Sequence, residues 1–530
     1  MKIAHIPFQQ TNFFSKTMID YLEKNENIQK FYHNFPDLEG FSNQVAEKKA
    51  SFPKESRIVL REALKSQYIG FDASEATLEN IEALADDNTF TITTGHQLNL
   101  FTGPLYFLYK ILCAINLCEE LSEKFPEQRF VPVYWMATED HDFDEINYFN
   151  FKGTKVVWNR ADGGPVGRFS TEGLNDVLEE FSKHLGSSRN AQFLKELFAK
   201  AYVNHSTLTG ATRYLANELF KEYGLVIVDA DDIELKKLFA PTVKDELLNQ
   251  TSYDSVSKTI VDFEQHYKVQ VNPREINLFY MIDDIRERII KVDNQYQVND
   301  TDIRFTEEEI LSELESHPER FSPNVIMRPL YQEIILPNLC YIGGGGEMAY
   351  WLELKDYFDQ VTIPFPILLL RNSVQVVSEK QAKKLKNLDI SFEEMFLKQH
   401  DLLAKKVMEN SEIQFSFSDA KTLLEQQFIA LQQVAEQTDV SFIGAVNAQQ
   451  VKQLKGLKNL EKRLLRAEKR KNADLVNRIT ELQNQLLPNQ SLEERQRNFS
   501  EYYLEYGETF IASLKKSLQP LQLEFTILEL

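Results

Sequence analysis

Cysteine is scarce in this chain of 530 residues. Cys113, Cys118 and Cys340 are too few and too scattered for a disulfide framework or a Cys-rich zinc site. Cys113 and Cys118 share a predicted helix without the spacing of a metal pair, so all three read as core. Long apolar runs are missing too. The longest, around 363–370, is broken by prolines and too short to span a bilayer. The first residues, Met1-Lys2-Ile3-Ala4-His5-Ile6-Pro7, lack the apolar centre of a secretion signal. Positive charge is in deficit, with a formal net charge of −21, which argues against a general nucleic-acid or anionic-membrane binder. A local basic pocket for an anionic substrate stays open. The one basic stretch, Lys458 to Lys471, is interleaved with Glu461 and Glu468 and reads as a solvated helix face. What remains is a cytoplasmic protein with no membrane or nucleic-acid partner, long enough for two to four domains.

The most informative stretch is 90–147. Phe90-Thr91-Ile92-Thr93-Thr94 suits a buried strand. A loop with two glycines and Pro104 follows, then Leu108, Ile111, Leu112 and Ile115 at helical spacing, with Pro104 at the first helical position. A second apolar run, 130–137, ends in Glu139-Asp140-His141-Asp142. Strand, helix and strand make a parallel βαβ unit whose ligands belong at the carboxyl ends of the strands, where both polar clusters fall.

The predicted fold is α/β, a Rossmann-like parallel-sheet core with inserted connecting segments and a long C-terminal coiled-coil domain. Residues 1–88 read as a helical segment packed on the core. Core segments follow at 89–160, 210–264 and 325–377, the last with a glycine loop. Between them lie a helical insertion (161–209) and a β-rich insertion (265–324) with short strands at 268–272, 278–282, 287–292 and 296–298. Residues 151–158 are expected as a further strand. A helical coiled-coil domain spans 378–518, before a tail at 519–530. Its helix over 442–487 would be about 65–70 Å long, with Leu475, Ile479, Leu482 and Leu486 as a heptad seam that Glu468 and Asn472 interrupt. A helix that long needs an antiparallel partner or another subunit. We expect a helical hairpin and a homodimer through it.

Five sites carry candidate chemistry. The loop at 95–104, with Gly95, His96, Gln97, Thr102 and Gly103, lies between a strand and a helix N-terminus, where free N–H groups favour an anion. It lacks the spacing of a Walker loop or a dinucleotide fingerprint, and its glycines could equally serve packing. Glu139, Asp140, His141 and Asp142 offer acid–base chemistry and ligands for Mg²⁺, though acids before a helix also cap it. Mg²⁺ is a candidate ion, and no metal is assigned. Gly343, Gly344 and Gly346 before Glu347 could form a nest of N–H groups, since four successive glycines are costly in a purely structural loop. Asp229 ends a third strand, where it binds ligand or caps the next helix. Arg328 and Arg371 are clamps for carboxylate or phosphate, or partners in structural salt bridges.

Thr94-Gly95-His96-Gln97, Leu100-Phe101-Thr102-Gly103-Pro104-Leu105-Tyr106, Pro132-Val133-Tyr134-Trp135 and Glu139-Asp140-His141-Asp142 together resemble the cysteine-adding enzyme of bacillithiol biosynthesis. Arg328-Pro329, Tyr341-Ile342-Gly343-Gly344 and Gly346-Glu347 with Ala349-Tyr350-Trp351 match the same family. The family commonly has Gln where this chain has His96, and often Pro at the place of Gly345. The resemblance covers essentially the whole chain. It implies a ligase that joins the carboxyl of cysteine to the amine of glucosaminyl-malate, with Thr94 and Tyr350 added to the binding residues. Carboxylates do not condense with amines unaided, so ATP is the expected co-substrate, its charge met by N–H donors or a cation. Asp140, His141 and Asp142 are the nearest groups to take the amine's proton. A second reading is a coiled-coil interaction protein whose core binds a nucleotide. A third is another nucleotidyl- or acyl-transferase on a core like that of the class I synthetases.

Overall fold

Threonines and β-branched residues fill Thr89–His96, and every residue of this strand is buried, as expected where a parallel sheet is covered on both faces. The computed structural model describes residues 1–160, 163–413 and 415–530, so the predicted boundary at 161 lies outside the described residues. Thr89–His96 is the centre of a five-stranded sheet. Across it run Ile367–Leu370, Asn338–Gly343, Thr89–His96, Arg129–Met136 and Val226–Asp229, each parallel to its neighbours. In chain order these are the fifth, fourth, first, second and third core strands. This is the doubly wound Rossmann-like sheet expected from the sequence. The winding reverses between the first and fourth strands, and their carboxyl ends open a crevice there.

Apolar burial on one face of the sheet explains the three cysteines. Cys113, Ala114, Leu117, Cys118 and Leu121 of helix Tyr106–Lys124 pack with Phe90, Ile92, Cys340, Ile342 and Leu369, and with Phe41 and Val45 from helix Leu38–Ser51. All three cysteines are free thiols in this core. A buried pair, Lys48–Glu333 at 2.9 Å, extends into the sheet through Asn338, which donates to Glu333 at 2.6 Å and accepts from Thr93 at 2.8 Å.

Three local expectations change. Lys2–Ile6 is a strand beside Phe525–Glu529, not part of a purely helical segment. Residues 148–157 form a hairpin, Tyr148–Phe151 against Thr154–Val157. Lys152 and Gly153 turn it at φ 49° and 80°, so the expected single strand at 151–158 holds a turn and only one arm. In the β-rich insertion, Leu278–Ile282, Ile285–Val292, Gln295–Val298, Arg304–Phe305 and Phe321–Pro323 form an antiparallel sheet. Residues 268–272 stay outside it, because the Gln270 and Val271 N–H groups donate to the Glu353 carboxylate at 2.7 and 3.2 Å.

The chain divides into two compact units. One comprises Met1–Gln9, Phe13–Gln375 and Glu493–Leu528, and holds the core sheet. The other comprises Gln10–Asn12, Val376–Leu492 and Glu529–Leu530. In the second unit, helices Ser418–Ala435 and Val440–Lys471 run antiparallel around Phe428, Ala435 and Val446. Lys421 pairs with Glu461 at 2.7 Å, and Gln432 with Asn447 at 2.9 Å. The expected unbroken helix over 442–487 stops at Lys471 and resumes as Ala473–Leu486. Asn472, at φ −99° and ψ 36°, donates its amide to the Glu468 carbonyl at 3.0 Å, the local competition that interrupts helices. Ile479, Leu482 and Leu486 of the predicted seam are buried.

Candidate active site

A cavity of about 800 Å³ opens at the carboxyl ends of the first and fourth core strands, where the winding of the sheet predicts a ligand. Gly95 is tightly surrounded there: an added Cβ would lie 3.2 Å from the Tyr341 hydroxyl, which would have to give by a few tenths of an ångström, and 3.8 Å from Arg328 Nη1. Thr94 is behind the cavity wall, its hydroxyl donating to Ile342 O at 2.8 Å and stapling the two strands together.

Part of the loop's backbone after the strand is already engaged: Phe101 N donates to the Tyr202 hydroxyl and Gly103 N to Leu100 O, and just beyond it Leu105 N donates to Arg497 O. Asn498 donates to the carbonyls of Phe101 and Gly103 at 2.7 and 2.6 Å, fixing a run of left-handed residues with φ of 47°, 69° and 61° at Phe101, Thr102 and Gly103. Thr102 and Gly103 therefore lie outside the cavity lining. Helix Tyr106–Lys124 starts beyond Pro104, two residues later than expected. Its cation does what its N–H groups do not. Lys110, one turn in, donates to Gly95 O at 2.7 Å and pairs with Glu347 at 2.6 Å.

Glu347 also governs the glycine loop. Helix Gly345–Leu352 has Gly344 as its N-cap, and the Glu347 carboxylate folds back to accept from Gly344 N at 2.8 Å and from the Tyr341 hydroxyl at 2.9 Å. Burial alone would raise its pKa, but Lys110 and these donors outweigh that and hold it at about 2. The predicted nest thus carries a built-in anion. Gly344 and Gly346 line the cavity, while Gly343 closes the strand behind them. Arg371 donates to Glu494 at 2.6 Å and to Asn372 O and Ser373 Oγ. Its Nε has no partner and stands 3.8 Å from where a Gly344 Cβ would be. Arg328 is held by the Tyr350 hydroxyl at 2.5 Å, and both line the cavity.

His96 sits between these groups, 8% exposed, its ring edge-on to Tyr106 at 5.4 Å and tilted on Phe107 at 5.1 Å. Burial, reinforced by the Lys110 cation, pulls its pKa down to about 3, so it is neutral at physiological pH. Its Nε2 is buried without a hydrogen-bond partner.

On the second strand's side, the acidic cluster divides. Glu139 lines the cavity but its carboxylate is paired with the buried ammonium of Lys236, which also donates to Phe321 O at 2.7 Å. Asp140 accepts from His141 N at 2.7 Å and Gln97 Nε2 at 2.9 Å, and Gln97 also donates to Glu145. Those donors, with Arg286, outweigh burial and keep its pKa below the ordinary value. His141 reaches the β-rich insertion, 2.6 Å from Arg286 Nη1. Asp142 is exposed at the start of helix Phe143–Ile146 and makes no side-chain cap bond. Asp229 is not brought to the cavity. It accepts from Thr138 Oγ1 at 2.5 Å and Asp231 N at 3.0 Å, and burial with the neighbouring Asp231 raises it to about 6. Among the described residues, no group of three or more His, Cys, Asp or Glu side chains is placed to hold a metal ion. We derive no step through one.

Lys110 and Arg286 escape a reading by motif. Lys110 had a signal, as a lone cation inside a helix otherwise buried through Phe107, Leu108, Tyr109, Ile111 and Leu112. A charge there needs a partner, and the partner is 237 positions away at Glu347.

A doubly wound Rossmann-like domain with a polar cavity at its switch point, continued by a helical hairpin, defines the class of protein. Residues 1–372 match the family described as bacillithiol biosynthesis BshC, N-terminal Rossmann-like domain, and residues 374–530 match its C-terminal coiled-coil domain. The chain belongs to the BshC family. It is 57% identical over 523 residues to a protein of Flavobacterium johnsoniae, covering 99% of each chain. A Christiangramia forsetii relative is 55% identical, covering 99% of this chain and 98% of its own. A Cytophaga hutchinsonii relative is 40% identical, covering 98% and 97%. All three carry the name "Putative cysteine ligase BshC".

Proposed function

We propose that this chain is a carbon–nitrogen ligase of bacillithiol formation, joining the carboxyl of L-cysteine to the amine of glucosaminyl-malate after nucleotide-dependent activation of the carboxyl. Family membership supports the reaction. The observation that carries the site is the cavity floor. Arg371 Nε–H and His96 Nε2 are buried polar atoms without partners, a donor and an acceptor that a ligand must satisfy. In this reading ATP is the co-substrate, and its phosphates take the positive floor formed by Lys110, Arg328 and Arg371, with Gly344 and Gly346 allowing close approach. Activation gives the cysteine carboxyl a leaving group. The amine then attacks, the carbon–nitrogen bond forms, the acyl carbon–oxygen bond to AMP or phosphate breaks, and the nitrogen's proton passes to Asp140 or to water. Asp140, held ionised beside Glu145, offers negative charge to the incoming ammonium. Mg²⁺ accompanies ATP as its counter-ion and needs no protein cage of its own.

The active species in this reading is a homodimer through the hairpin. Leu423 and Val434 are 61% and 55% exposed three turns apart on one arm, and Val440 and Val451 are 84% and 66% exposed three turns apart on the other. These exposed apolar side chains motivate the dimer reading.

The test is direct. The full chain incubated with ATP, cysteine and glucosaminyl-malate should release bacillithiol, read by mass, with matching nucleotide turnover. Neither product nor turnover, from protein shown to be folded, overturns the ligase reading.

A further inference from the structure

In a chain of net charge −21, the cavity wall supplied by the β-rich insertion is basic. Strands Leu278–Ile282 and Ile285–Val292 pair Met281 with Arg286 and Phe279 with Arg288. Two residues apart on one strand, Arg286 and Arg288 share a face. Arg274 joins them from the preceding segment, and all three line the cavity. None of the three pairs with a carboxylate among the described residues. Arg286 is only 9% exposed; the nearby carboxylates of Glu139, Asp140 and Glu287 favour its charge without touching it.

Arg286 is nonetheless rigidly held. Its guanidinium lies over the Phe279 ring at 4.1 Å, Nε donates to Ser322 Oγ at 3.1 Å, and Nη2 donates to Pro323 O at 3.2 Å. Nη1 is 2.6 Å from His141 Nδ1. Arginine has no acceptor, so Nδ1 must be the acceptor and the single ring proton sits on Nε2. Burial and Arg286 both lower the His141 pKa, which keeps that neutral form. The His141 side chain is 46% exposed at the cavity edge, so it offers an N–H donor there and no lone pair. His141 is thereby unsuited to removing a proton from the amine.

We propose that Arg286, His141 Nε2–H, Arg288 and Arg274 form a binding subsite for a dicarboxylate. The first two grip one carboxylate, and the outer arginines hold the second. Three arginines on one wall, none in direct contact with a carboxylate, can hold two carboxylates. On the ligase reading above, the dicarboxylate is the malyl group of the acceptor substrate, and the insertion serves to recognise it. Arg286 is then also a positioning residue, because it sets the tautomer of His141.

L-Malate, glycolate and ADP, titrated calorimetrically into the full chain, test the proposal. Wild type should bind malate more tightly than glycolate. Arg288→Gln, on a partly exposed strand position, should weaken malate by about tenfold or more, as for a lost charge-assisted hydrogen bond, and leave ADP unchanged. In ¹⁵N spectra of the imidazoles, wild-type His141 should show the Nε2–H tautomer, and Arg286→Gln should move it towards a mixture with a raised pKa. No malate binding, malate affinity unmoved by Arg288→Gln, ADP weakened as much as malate, or a Nδ1–H tautomer in wild type each overturns the proposal. The ligase reading fails separately: bacillithiol absent while malate binding depends on Arg288 removes that reading alone. Bacillithiol formed with the KM for glucosaminyl-malate unmoved by Arg288→Gln removes the subsite alone.

Discussion

The ammonium of Lys110 stands 2.6 Å from the Glu347 carboxylate, tying the helix after the first core strand to the one after the fourth. Lys110 is buried, its side chain 4% exposed, while Glu347 is part-buried at 28%. Removing one partner of a fully buried pair costs about 3–5 kcal/mol, an upper limit here because water reaches Glu347. Lys110→Met should therefore lower stability in urea denaturation by up to that amount. Glu347→Gln should also destabilise, because it weakens the cap on Gly344. The double variant should lose less than the sum, since the two residues share one interaction. Strict additivity would show that the pair contributes nothing.

His96 contributes to the acid limb of stability. Its folded pKa of about 3 lies below the ordinary 6.5, so between those values the unfolded chain binds the extra proton. Stability from this group is fully present above pH 6.5 and is lost as pH falls towards 3, by up to about 1.4 kcal/mol per pH unit. His96→Gln keeps a hydrogen-bond acceptor without titrating. Denaturation midpoints between pH 7 and pH 5 should fall less steeply in that variant than in wild type. Equal slopes would mean that His96 is not held neutral.

Glu353 acts in the opposite sense. Its carboxylate is fully buried, and burial pushes its pKa from 4.5 up to about 7 despite the Gln270 and Val271 N–H groups it accepts from. Between those values the folded state holds the proton, so this contribution is complete below pH 4.5 and is lost as pH rises through 7. Thermal midpoints of Glu353→Gln should change less between pH 5 and pH 8 than those of wild type. A variant as sensitive as wild type would exclude Glu353 as the source of the basic limb.

The strand ends and the long helices are legible in the residues themselves. Buried parallel strands are short apolar runs, and the polar groups that interrupt them, Gly95-His96, Glu139–Asp142 and Gly343–Gly344, fall where the chain leaves the sheet. What each end does depends on partners far away in sequence. The loop at 95–104 reads as an anion cradle, yet Tyr202 and Asn498 occupy part of its backbone. The glycine nest reads as empty until Glu347 folds back into it. Asp229 looks like a third ligand at a strand end, yet Thr138 and Asp231 N–H tie it behind the wall. Arg286 is one of several charges on an alternating strand, and only the hairpin register carries it to His141.

The rows of exposed apolar residues on the hairpin give the last prediction. Val440 and Val451 lie on one face of helix Val440–Lys471, and neither is among the residues that bury the hairpin's own small core. Replacing both with lysine should leave the melting of the single chain nearly unchanged, since surface substitutions away from packed features cost about 0.5 kcal/mol or less. A dimer that buries them would instead have to desolvate two ammonium groups per chain. Light scattering should accordingly report a dimer for wild type and a monomer for Val440→Lys/Val451→Lys. Deleting 416–487 should likewise give a monomer, at the mass of the shortened chain. If either altered protein stays dimeric, the hairpin is not the dimer interface, and the exposed valines need a different partner.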